Sequence, residues 1–121
     1  MPPSKEKVTF DFSGLERPEG GKTVAEIFAE RTALSGKAVT IRGIIVKYTP
    51  NIMGKNWLHV RDGTGAAGTD DLTVTTAAKL KAGDRVVIKG KLAVNKDFGA
   101  GYKYEVIVEE ATVQVEPVSQ D

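Results

Sequence analysis

At 121 residues with no cysteine, 40% apolar and 27% charged side chains and a formal net charge of +1, the chain has the size and makeup of one globular domain. The missing thiols exclude disulfides, thiol nucleophiles and thiolate metal sites, and no uncharged apolar run approaches the roughly 18 residues of a bilayer span. Fourteen Val and seven Ile against six Leu, with eleven Thr and thirteen Gly, favour strands and turns over a helical bundle.

Residues 1–21 mix Pro and Gly with cancelling charges and read as a leader, in which Val8, Phe10 and Phe12 form either a short docked strand or part of a disordered tail. Thr23-Val24-Ala25-Glu26 has the form of a capping box and predicts a helix start. Val24, Ile27, Phe28, Arg31 and Leu34 continue it at helical steps for about three turns, and Gly36 ends it. One short amphipathic helix is therefore expected ahead of a sheet.

Val39, Ile41, Ile44 and Val46 change phase around Gly43, which predicts a long first strand with a bulge or bend at that glycine. Further strands are expected around Leu58 and Val60, around Leu72 and Val74, around Val86, Ile88 and Leu92, and from Tyr102 to Val115. Turn chemistry separates them at 48–54, 62–65, 81–84 and 95–101. Five short strands, the first bent, leave two exposed edges unless they close. The expected fold is all-β with one short helix: a five-stranded OB-fold Greek-key barrel over 22–115, with 116–121 as a tail.

Three runs carry a resemblance: Gly36-Lys-Ala-Val-Thr-Ile-Arg-Gly43, Trp57-Leu-His-Val-Arg-Asp-Gly-Thr-Gly65 and Ala82-Gly-Asp-Arg-Val-Val-Ile-Lys-Gly90. They are similar to the bacterial OB-fold nucleic-acid-binding pattern. More narrowly, Ile52-Met-Gly-Lys-Asn-Trp57, Asp71-Leu-Thr-Val-Thr-Thr76 and Lys96-Asp-Phe-Gly-Ala-Gly-Tyr102 resemble a group of small bacterial OB-fold proteins, some exported and associated with periplasmic cytochrome and nitrite-reductase systems. That resemblance implies the periplasm if a signal segment precedes Met1, and the cytoplasm if Met1 is the native start.

Charge is segregated along the chain. Lys37 to Arg61 holds five basic and no acidic residues, Lys79 to Lys103 holds seven basic against two acidic, and the charged residues after Lys103 are all acidic. On the second strand, alternation sends Leu58 and Val60 inward and leaves Trp57, His59 and Arg61 outside. By analogy with other OB-folds, the flanking loops would bring Tyr48 and Lys55 from one side and Lys96, Phe98, Tyr102 and Lys103 from the other.

Single-stranded nucleic acid needs that mixture, because bases stack on aromatic faces while cations neutralise phosphates. Trp57, Phe98 and Tyr102 are the expected stacking groups, with Tyr48 and His59 beside them; Arg42, Lys47, Lys55, Arg61, Lys96 and Lys103 are the expected phosphate contacts. Plainer readings stand beside these: Trp57 as a cap on one barrel end, Phe98 and Tyr102 as a loop clamp, the cations as a solvated face.

Asp62-Gly-Thr-Gly65 lacks the lysine and helix of a phosphate loop and reads as a hairpin turn. His59, the only histidine, has no carboxylate as a same-face strand neighbour, and Asp70-Asp71 reads as a solvated acidic turn, so no catalytic or metal site and no cofactor is expected. The expected partner is single-stranded DNA or RNA bound by a non-enzymatic monomer, the alternative being an exported scaffold with a protein or carbohydrate partner.

Overall fold

The computed structural model describes residues 11–99 and 101–116. Two short helices, α1 (Val24–Ala29) and α2 (Arg31–Leu34), precede the strands β1 (Ala38–Ile52), β2 (Lys55–Arg61), β3 (Leu72–Thr76), β4 (Arg85–Asp97) and β5 (Lys103–Val115). The strands hydrogen-bond in the order β1-β2-β3-β5-β4, and β4 returns to β1, which closes the ring. All neighbours are antiparallel except β3 and β5, which run parallel with Thr73 opposite Ile107. This is the expected five-stranded OB-type barrel, and closure removes the exposed edges.

Inside it lie Val39, Ile41 and Ile45 of β1, Leu58 and Val60 of β2, Leu72 and Val74 of β3, Val86, Ile88 and Leu92 of β4, and Val106 and Val108 of β5. Each such side chain contributes about 1.5–3 kcal/mol on burial. An exposed ion pair contributes only about 0–1 kcal/mol, so the barrel interior sets the stability.

The phase change in β1 falls elsewhere than expected. Val39, Ile41 and Ile45 keep even spacing through Gly43, and Ile44 is buried outside that core. The pairing of β1 with β4 runs unbroken from Ala38 to Ile44, whereas the pairing with β2 slips between Ile45 and Lys47, so the bulge sits at Val46. Gly43 serves close approach instead: a Cβ there would lie 2.7 Å from Val60 Cγ1 and 2.8 Å from the Arg61 carbonyl oxygen.

The capping box of α1 forms as expected, with the Glu26 amide donating to Thr23 Oγ1 at 3.1 Å and the Thr23 amide donating to Glu26 Oε1 at 2.9 Å. That backbone bond, helped by Arg17, holds the Glu26 carboxyl below its ordinary pKa. The single expected helix is broken at Glu30, where φ is −106° and ψ 17°. The break leaves the Phe28 carbonyl to accept from Arg31 Nη1 at 2.7 Å. Gly36 (φ 81°) then turns the chain, and its amide donates to the Leu92 carbonyl at 2.8 Å, docking the helical segment on β4.

The turn expected at 48–54 is much shorter. β1 continues to Ile52, which pairs with Lys55 across a two-residue turn, Met53-Gly54, with φ of 54° and 77°. A second bulge precedes it at Pro50-Asn51, and the Asn51 amide donates to Asn56 Oδ1 at 3.0 Å. Methionine suits neither the left-handed backbone nor the 47% exposure it has here. Met53→Asn, which creates an Asn-Gly turn, is therefore expected to stabilise the protein by about 0.5–1 kcal/mol in urea unfolding, and a loss would contradict this turn geometry.

Likewise β4 runs to Asp97, and the 95–101 turn shrinks to the segment between Asp97 and Lys103; Tyr102 lies in it, just before β5. The stretch 62–65 is part of a longer loop, 62–71, and it is no plain hairpin turn. Asp62 Oδ2 accepts from the Val24 amide at 2.9 Å and Thr64 Oγ1 from the Ala25 amide at 3.0 Å, satisfying the first orphan donors of α1. Of the leader, Val8 and Phe10 lie outside the described residues. Residues 11–21 lie against the barrel: Pro18 is buried, and Arg42 Nη1 donates to the Glu16 carbonyl at 2.8 Å.

Candidate nucleic-acid interface

Beyond the barrel wall β4 and β5 continue as a projecting hairpin, paired through Lys96–Tyr104 and Asp97–Lys103. Its tip is closed by the Phe98 amide donating to the Tyr102 carbonyl at 2.8 Å and the Tyr102 amide donating to the Gly99 carbonyl at 2.9 Å. The hairpin folds over the outside of β2. Trp57 meets Phe98 edge-on at 5.3 Å between ring centroids, Tyr104 at 5.6 Å and Tyr102 at 6.2 Å, and Phe98 meets Tyr104 at 6.1 Å.

Trp57 does face away from the barrel core, while Leu58 and Val60 fill it. The expectation that the indole is exposed is corrected: Trp57 is 6% exposed, and its Nε1–H donates to the Ile52 carbonyl at 2.9 Å. Sequence alternation gives the side of the strand but not what the hairpin lays over it. The indole is thus the floor of an aromatic cluster, and the ring available for stacking is Tyr102, 40% exposed. Burial pushes the Tyr104 hydroxyl above the ordinary phenol range, and Tyr102 beside it adds to that.

Between hairpin and barrel runs a groove of about 220 Å³, lined by Lys47, Thr49, Ile52, Trp57, His59, Tyr102 and Tyr104. Register explains the set: Lys47 stands opposite His59 and Thr49 opposite Trp57, so four side chains of β1 and β2 share the outer face. On the other side of the aromatic cluster, Lys55 Nζ and Lys96 Nζ lie 5.3 and 5.6 Å from the Phe98 ring centre. The structure therefore brings together Lys47, Lys55, Trp57, His59, Lys96, Phe98 and Tyr102, with Lys103 at the root of the hairpin tip.

Three of the expected residues are placed otherwise. Tyr48 pairs with Leu58 and packs against the core, because the Val46 bulge turns it inward. Arg42 is held by Glu116 at 3.1 Å as well as by the Glu16 carbonyl, a clamp between strand and chain ends. Arg61 bonds Asp70 Oδ2 at 2.7 Å and lies 5.6 Å from the Phe12 ring centre, near the loop that caps α1.

His59 does have a carboxylate partner. Its Nδ1 is 2.8 Å from Asp71 Oδ1, supplied by the loop that leads into β3, so Asp70-Asp71 is no free acidic turn. Lys96 is also engaged, at 3.3 Å from Glu109 Oε2. Lys47 and Lys103 have no ion-pair partner among the described residues. No group of three or more His, Cys, Asp or Glu that could hold a metal occurs among the described residues, and no helix there is long and apolar enough to cross a membrane.

Neither protein-family models nor curated proteins give a match to this chain. Among solved structures, it is similar to a chain named as an aspartyl-tRNA synthetase from Leishmania major Friedlin, with a TM-score of 0.60 at 12% identity. The likeness covers 89% of this chain and 22% of that one, so this protein spans about a fifth of the synthetase's length. At that identity the likeness concerns the fold.

Tyr104, Asp71 and Glu109 are missing from the sequence-derived set. Tyr104 had a signal, since it follows Tyr102 at the two-residue step of a strand. Asp71 and Glu109 had none, because each meets its partner only once the pairing of β2 with β3, or of β4 with β5, is known.

Proposed function

We propose that this protein is a non-enzymatic OB-type module that binds single-stranded nucleic acid in the groove under the β4–β5 hairpin. One observation carries the reading: a half-open aromatic cluster, topped by Tyr102, stands beside Lys47 and Lys55, with Lys103 next to Tyr102 in the chain, and neither Lys47 nor Lys103 has an ion-pair partner among the described residues. Bases stack on such rings for about 1–3 kcal/mol each without regard to sequence, and the lysines take the phosphates. The fold likeness to a chain named for acting on tRNA supports the same class of partner.

Anisotropy of a labelled single-stranded oligonucleotide, titrated at several salt concentrations, tests the reading. Saturable binding is expected, with log K falling against log salt at a slope near −2, about −0.7 for each of three lysines. Lys47→Ala is expected to make that slope shallower by about 0.7. Absence of saturable binding at low salt would overturn the reading, and salt-indifferent binding would point to a carbohydrate or protein partner on the same aromatic surface.

A further inference from the structure

The imidazole of His59 is held in a way that stacking and charge neutralisation do not require. The Asp71 carboxylate accepts from Nδ1 at 2.8 Å, which fixes the ring and leaves Nε2 as the nitrogen free to meet the groove it lines. A carboxylate partner keeps the proton on Nδ1, so neutral Nε2 is an acceptor that repels a phosphate oxygen, and protonated Nε2 is a donor that binds one. Lys47 stands directly across the strand pair from it, a second cation with no partner among the described residues.

Resting on the reading above, we propose that the groove is a single-nucleotide subsite: one base stacks on Tyr102, and its phosphodiester oxygen is taken jointly by Lys47 and protonated His59. At about 220 Å³ the groove is smaller than the roughly 300–1,000 Å³ of ordinary ligand pockets, which limits its occupant to a short piece of a strand. The groups around the imidazole are Asp71 from the 62–71 loop, Lys47 from β1, Thr73 from β3, Trp57 and Arg61 from its own strand, and Tyr102 and Tyr104 from the hairpin. Of these Arg61 is engaged by Asp70. Of the side-chain types gathered there, histidine is the one whose charge ordinarily changes near neutral pH. Its charged form gains the phosphate contact, so affinity rises as pH falls.

The test is oligonucleotide affinity of the full chain from pH 8.5 to 6 at constant ionic strength. About tenfold tightening on acidification is expected, the scale of one charge-assisted hydrogen bond. His59→Gln should abolish the gain on acidification, leaving a flat pH profile. Asp71→Asn removes a negative charge, so it should tighten binding at pH 8.5 and yet shrink the gain on acidification, because the imidazole loses its anchor. Millimolar inorganic phosphate at the same ionic strength should leave the pH-dependent part in place; its disappearance would mean a site for free phosphate and overturn the subsite. Salt-dependent binding with a flat pH profile, or a gain that survives in His59→Gln, would overturn the subsite and spare the broader reading. Absence of oligonucleotide binding at every pH would overturn both.

Discussion

Trp57→Ala is expected to cost about 3–5 kcal/mol in urea unfolding, the range for removing a large aromatic from a packed environment. The indole is 6% exposed, touches three rings and satisfies the Ile52 carbonyl at the start of the β1–β2 turn. Truncation removes those contacts together and leaves that carbonyl without its indole donor. Because the three partner rings belong to the β4–β5 hairpin, the same variant should also free the hairpin and weaken oligonucleotide binding by more than the single stacking contribution. Trp57→Phe separates the two effects: it keeps a ring and loses the N–H bond, for a smaller cost, with about 1 kcal/mol from the hydrogen bond. A loss below about 1 kcal/mol for Trp57→Ala would mean that the hairpin does not rest on this side chain in solution.

Gly43→Ala is the second large effect, expected at about 1–3 kcal/mol of destabilisation. The glycine has an ordinary backbone conformation, and its necessity comes from crowding, with Val60 Cγ1 and the Arg61 carbonyl oxygen at 2.7 and 2.8 Å from where a Cβ would sit. A carbonyl fixed in a strand ladder cannot yield as a flexible side-chain tip can, so the strain has to be taken up by β2. Gly43→Val should be worse. Equal stability of Gly43→Ala and the parent protein would show that β1 and β2 separate easily at this point.

These two positions also show what the sequence reveals. The strand alternation, the capping box and the closing turns are local patterns, and from them the five strands, the helix start and the barrel are legible before any coordinate. Gly43 is noticeable as a break, but whether it marks a bulge or a close contact depends on Val60 and Arg61, seventeen and eighteen residues on. The outward side of Trp57 is legible from period two. Its covering is not, since that depends on how far β4 and β5 project past the barrel and which way they bend. Tyr48 failed for a local reason: one unpaired residue at Val46 moves the next side chains of β1, Lys47 to Thr49, to the opposite face, until the second bulge at Pro50-Asn51. The His59 contact with Asp71 required knowing that the 62–71 loop returns beside its own strand.

The parallel ladder between β3 and β5 carries a kinetic consequence. Thr73 finds Ile107 only after all of β4 and the first part of β5 exist, so during synthesis the first three strands wait as an open meander with Leu72 and Val74 lacking their final neighbours. Such distant pairing places folding in the milliseconds-to-seconds regime, well behind helical domains of similar size. The interval before the last strand arrives is when the nascent chain is most prone to associate with its own kind.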